Sequence, residues 1–116
     1  MVTRKIAISQ ILELVRGLTK LGYRPTQAYL FGSVAKGCQH EWSDIDLALW
    51  DKRFSGVLHL DYVPIARLLT QFPRIELHTF PSREDEFSNP FIGEIKKTGV
   101  EVDLSEVLQQ EEVLTV

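Results

Sequence analysis

Residues 30–50 read LFGSVAKGCQHEWSDIDLALW. An apolar run ends at Gly32-Ser33, and Asp44 and Asp46 head the next one. The second run alternates as a strand: Ile45, Leu47 and Leu49 fall on one face, Asp44, Asp46 and Ala48 on the other. Residues i and i+2 of a strand share a face, about 7 Å apart along the chain, so the two carboxylates can converge on one point. Uncompensated, each raises the other's pKa. A hard divalent cation such as Mg²⁺, taking oxygen ligands, relieves that repulsion. An EF-hand loop is excluded, because its fifth and sixth positions hold Ala48 and Leu49 instead of Asp or Asn and Gly. A bare Asp-x-Asp also suits a solvated strand end.

Upstream, "AYLF" is a short strand ending at Gly32, and Ser33 to Gly37 is one helical turn with Ser33 able to cap it. Gly32 lets backbone approach a ligand, and free N–H groups at the turn, with the Ser33 hydroxyl, suit a triphosphate tail. Lys36 adds a positive charge one turn on. The Walker pattern and G-x-G-x-x-G are both absent, and alone this step is an ordinary strand-to-helix turn. Downstream, "RIELHTF" alternates again, with Ile75, Leu77 and Thr79 on one face and Arg74, Glu76 and His78 on the other. If this strand neighbours the Asp44–Asp46 strand in register, Glu76 completes a three-carboxylate cluster. Such a cluster can hold two metal ions about 3.5–4 Å apart for in-line phosphoryl displacement.

The remaining elements alternate around these strands. Ile8, Ile11, Leu12, Val15, Leu18 and Leu21 predict a helix over about 4–21, stopped by Gly22. "LDYVPIARLLTQF" predicts a helix from about Val63, with Pro64 in its first turn. "PFIGEIKKTG" predicts a helix ended by Gly99, followed by a short strand in "VEVDL" and a helix from about Ser105. The pattern is that of an α/β (α+β) domain, 1–116, with one small sheet flanked by helices.

The 116 residues are enough for one domain. A net charge of −3 argues against a dedicated nucleic-acid surface, which would need a basic face. Cys38 is the sole cysteine, so no internal disulfide forms and a reducing compartment fits. No apolar stretch approaches the roughly 20 residues of a membrane span, and no signal peptide is read at the N-terminus. The expected location is the cytoplasm.

Together, Gly32-Ser33, ten intervening residues and Asp44-Ile45-Asp46 resemble the signature of the nucleotidyltransferase superfamily with the DNA polymerase β-like palm. The wider "FGSVAKG…SDIDL" is similar to that family's Gly-Ser-x-Ala-Arg-Gly…Ser-Asp-Ile-Asp-Leu. The resemblance implies a small mixed sheet flanked by helices. It implies nucleotide contacts from Gly32, Ser33, Lys36 and Ser43, and Mg²⁺, two ions, held by Asp44, Asp46 and Glu76 as the catalytic set, with ATP as substrate. Two departures stand out. Lys36 replaces the usual arginine and loses its bidentate geometry, and Glu76 stands where many members carry aspartate. The chain's length resembles the minimal nucleotidyltransferases, antitoxin partners of HEPN-domain toxins, which move AMP from ATP to a tyrosine hydroxyl of the toxin.

Other residues near the motif carry weaker signals. Trp42 suits base stacking or local packing, His78 suits a phosphate or substrate contact or the surface, His40 lies near the motif in sequence, and Cys38 is incidental rather than catalytic. "REDE" (83–86) reads as a solvated loop. Leu104, Val107, Leu108 and Val113 suit either the domain's own core or a partner. Three function classes follow: a nucleotidyltransferase, an inactive module that neutralises a partner by docking, and a glycosyltransferase-like use of Asp-x-Asp. The last ranks lowest, because it needs a larger nucleotide-sugar domain.

Overall fold

The computed structural model describes residues 2–37 and 44–108. Helix α1 (Arg4–Lys20) is capped by Thr3, whose Oγ1 accepts the Ile6 amide at 3.1 Å. It ends where expected, in a Schellman motif. Gly22 sits at φ +96°, its amide donates to Thr19 O at 3.1 Å, and the Tyr23 amide reaches Leu18 O at 3.0 Å. The buried stripe is Ala7, Ile11, Leu14, Val15 and Leu18. The stripe expected from the sequence is therefore offset: Ile8 and Leu12 are only partly buried and Leu21 is exposed.

Strand β1 (Gln27–Phe31) runs directly into α2 (Gly32–Lys36). Phe31, not Ser33, occupies the N-cap, and no side chain caps the turn. Ser33 lies inside the first turn because the helix opens one residue earlier than expected. Strand β2 (Ile45–Trp50) follows, then α3 (Leu58–Tyr62), a 3₁₀ turn (Val63–Ile65) and α4 (Ala66–Leu69). The helix expected from Val63 thus begins five residues earlier and breaks at Pro64, whose missing N–H interrupts the ladder. Strand β3 (Ile75–Phe80), α5 (Pro90–Thr98) and β4 (Val100–Glu101) complete the order. Gly99 ends α5 as expected. A Cβ there would lie 2.8 Å from Leu30 O and 2.6 Å from Ile95 O, so close packing on β1 requires the glycine.

The sheet is mixed, in the order β3-β2-β1-β4. β1 pairs antiparallel with β2 and β4, while β2 and β3 are parallel. A parallel neighbour needs a crossover of a dozen or more residues, and the α3–α4 segment supplies it. One face of the sheet packs Leu30, Ile45, Leu47, Leu49 and Leu77 against α1. On the other, Ala48, Trp50 and Phe80 pack against Ile92 and Ile95 of α5. Ala48 therefore does not share an open polar face with the aspartates. α5 covers that face from Ala48 onward and leaves the Asp46 end open.

Leu104 and Val107 are buried in the main core and Leu108 packs on it, so this segment covers its own domain. The 83–86 stretch is more than a solvated loop. The Glu84 carbonyl accepts Trp50 Nε1 at 2.9 Å, and Glu86 lies 3.6 Å from Lys96. Ser43, Cys38, His40, Trp42 and Val113 lie outside the described residues.

Candidate functional site

The parallel register sets Asp46 opposite Glu76, and Ala48 opposite His78. Adjacent strands lie about 4.8 Å apart, so cross-strand partners on one face bring their side chains together. Ligand-capable atoms of Asp46, Glu76 and His78 all lie within 4.8 Å of one another. Asp46 and His78 are half-buried and Glu76 is exposed. Asp44 stands just before β2, exposed and outside that group, and its charge acts on Asp46.

Asp46 is the strained member electrostatically. Burial, a hydrogen bond with Glu76, the Glu76 charge and the Asp44 charge together push its carboxyl up from 3.8 to about 6. Antiparallel pairing sets Phe31 opposite Asp46, which brings the β1–α2 corner against the carboxylate. Gly32 sits there at φ +75°, and a Cβ on it would lie 2.1 Å from Asp46 Oδ2. The glycine is thus required twice, by its left-handed backbone and by the carboxylate beside it. Sequence reasoning reserved that space for a phosphate; the structure puts Asp46 in it. Ser33 is half-buried one residue on, and Lys36 is exposed at the end of α2.

His78 is the residue that sequence reasoning undervalued. Its imidazole packs edge-on against Phe31 and Phe91, with ring centroids 5.1 and 6.0 Å away. Burial holds its pKa below the ordinary value despite the upward pull of Glu76. Nε2 is buried, makes no hydrogen bond among the described residues, and lies 3.9 Å from Glu76 Oε1. The signal was its position two residues after Glu76, on the same strand face. Beside it a cleft of about 190 Å³ is lined by Gly56, Leu58, His78, Thr79, Phe80 and Phe91.

The donor set suits a divalent cation: two convergent carboxylates, an orphaned buried nitrogen, and a glycine corner that leaves them room. Asp46 and Glu76 would hold such an ion, with Asp44 adjacent. When bound, it supplies charge neutralisation for a phosphoryl group under attack.

Residues 18–115 match the family model described as polymerase beta, nucleotidyltransferase. No curated protein matches. Among solved structures, a chain from the crystal structure of the toxin–antitoxin MntA-HpeT, in a mutant form, is similar with a TM-score of 0.55. The two share 15% identity over 92% of this chain and 88% of that one. At that identity the likeness is one of fold.

Proposed function

This chain belongs to the polymerase β nucleotidyltransferase family, and from that premise we propose that it transfers AMP from ATP to a tyrosine hydroxyl of a HEPN-domain toxin, as its antitoxin. The observation that carries the reading is the Asp46–Glu76 pairing across β2 and β3, next to the Gly32 corner. In the reaction the acceptor oxygen attacks the α-phosphorus of ATP. A new P–O bond forms, the bond to the β-phosphate oxygen breaks, and pyrophosphate leaves. Asp44 and Asp46 would hold Mg²⁺, which would neutralise charge on the triphosphate. Glu76 completes the carboxylate set or takes the proton of the attacking hydroxyl. The Gly32 and Ser33 backbone, with Lys36 and Ser43, holds the phosphates.

The partly apolar cleft beside His78 supports an acceptor hydroxyl carried on an aromatic ring. The structural likeness to a toxin–antitoxin chain supports a protein partner. A docked protein would position the acceptor, and such positioning supplies several kcal/mol of barrier lowering. No helix among the described residues is long and apolar enough to cross a membrane, and we place the pair in the cytoplasm.

The test is incubation with α-labelled ATP, Mg²⁺ and the product of the adjacent gene, followed by peptide mass spectrometry. AMP on a tyrosine of that protein is expected. Tight binding to the partner without transfer would replace this reading with neutralisation by docking. Efficient tailing of RNA would refute the protein acceptor.

A further inference from the structure

We propose that His78 is a nitrogen ligand to the cation held by Asp46 and Glu76, turning the site's preference from Mg²⁺ toward Mn²⁺ and the later first-row divalents. The inference rests on the metal-dependent reading above and adds a ligand that the carboxylate signature does not contain. Three observations meet at one nitrogen. Nε2 has no hydrogen-bond partner among the described residues, although its burial makes an unmet polar atom costly. It faces Glu76 Oε1 at 3.9 Å, beyond hydrogen-bond range but within the spread of ligands around one ion. Phe31 and Phe91 flank the ring and fix its direction without offering it a polar contact.

Metal–ligand bonds of about 2.0–2.2 Å place the ligands of one ion up to roughly 4.4 Å apart. The Asp46, Glu76 and His78 atoms lie within 4.8 Å, so a few tenths of an ångström of carboxylate movement closes the set. Imidazole is a poor ligand for Mg²⁺, which prefers oxygen and keeps its waters. Its general affinity rises through Mn²⁺, Co²⁺ and Ni²⁺ to a maximum at Cu²⁺ and falls again at Zn²⁺. A carboxylate–carboxylate–imidazole set therefore favours borderline ions over Mg²⁺.

The experiment is pulsed electron paramagnetic resonance of Mn²⁺ on the full chain, with inorganic tripolyphosphate completing the coordination so that no nucleobase nitrogen is present. Wild type is expected to show imidazole nitrogen modulation that changes on ¹⁵N-histidine labelling. His78→Gln and His78→Leu, the second filling the space between the phenylalanines with an apolar side chain, are each expected to lose it. Competition titration is expected to show Mn²⁺ affinity falling about tenfold or more in both variants, with Mg²⁺ affinity nearly unchanged. Bound Mn²⁺ without nitrogen modulation in wild type overturns the His78 ligand and leaves the carboxylate site standing. Modulation surviving in both variants assigns the nitrogen to another histidine and also overturns it. Failure of wild type to bind either ion removes the metal-dependent reading and this inference together.

Discussion

Asp46 and Asp61 are two carboxylates set against the same pair of strands, and they are treated in opposite ways. Asp61 on α3 is buried and surrounded by donors. Its Oδ1 accepts the Ser55 amide and hydroxyl at 2.8 and 2.9 Å, and its Oδ2 accepts the Gly56 amide at 3.0 Å and the Thr79 hydroxyl at 2.7 Å. Burial pushes its pKa up, but these bonds, led by the Ser55 amide, outweigh burial and hold it below the ordinary value. Asp46 is met by other carboxylates, and its pKa rises to about 6. Asp61 ties the loop after β2 to β3 and works as a fold element. Asp46 is left in a state that only a cation or a proton relieves, which is the condition of a binding group.

The largest effect that separates them is on activity. Asp46→Asn is expected to lower AMP transfer by more than about 10³-fold, roughly 4 kcal/mol of barrier. The fold stays intact, and the melting temperature without metal is equal to or above wild type. Initial rates by mass spectrometry and a thermal melt in chelator check both halves. Undiminished transfer removes Asp46 from the mechanism.

Asp61→Ala is expected to do the reverse. It strands two amides and the buried Thr79 hydroxyl, and it is expected to lower stability by about 3 kcal/mol in urea titration. The transfer rate per folded molecule stays near wild type. A selective loss of transfer at full stability would make Asp61 part of the site.

Two left-handed glycines sharpen the contrast further. Gly32→Ala and Gly22→Ala both place a side chain at positive φ, at φ +75° and +96°, for about 1–3 kcal/mol each. At Gly22 the added Cβ meets the end of the flexible Arg53 side chain at 2.9 Å. At Gly32 it meets Asp46 Oδ2 at 2.1 Å. Gly32→Ala is expected to lose more stability than Gly22→Ala, and only Gly32→Ala to lose nucleotide-dependent metal binding, measured by calorimetry on the folded protein. Equal metal binding in the two would separate the Gly32 corner from the carboxylates.

The central contrast was half legible before any coordinates. The alternation of β2 and β3 is local, so the faces of Asp46, Glu76 and His78 followed from period alone. The small sheet flanked by helices followed from the order of elements. Register is not local: it depends on the crossover through α3 and α4, whose start at Leu58 is obscured by the exposed Leu60 and Val63. Pairing with Glu76 was therefore a condition and not a reading. Helix α5 covering Ala48 and Trp50 was equally hidden, because alternation marks two faces without saying what lies on each. His78 was undervalued for the same reason, since its burial comes from Phe31 and Phe91, which are remote in sequence. Asp61 gave no sequence signal at all, because its donors come from a loop and a strand on either side of it.

The smallest expected effect is in the pH dependence of the metal-free protein, and there the two carboxylates have opposite signs. Asp46 has a folded pKa of about 6 against an ordinary 3.8, so the folded chain holds its proton more tightly than the unfolded one. Its contribution to stability is present below pH 3.8 and is lost as pH rises through about 6. Asp61 is held below its ordinary value, so its contribution is present above pH 3.8 and is lost as acid protonates the folded state. His78, with its pKa lowered by burial, adds stability as pH rises through 6.5 and partly masks the Asp46 slope. The measurable quantity is therefore the melting temperature of Asp46→Asn minus that of wild type, in chelator, between pH 4 and 7. It is expected to climb with pH, because only wild type carries the proton whose loss destabilises it. The size is modest, since Asp46 is half-exposed and water screens its neighbours. A flat difference across that range would mean that Asp46 is not under electrostatic strain, and the contrast with Asp61 would reduce to one of hydrogen bonding alone.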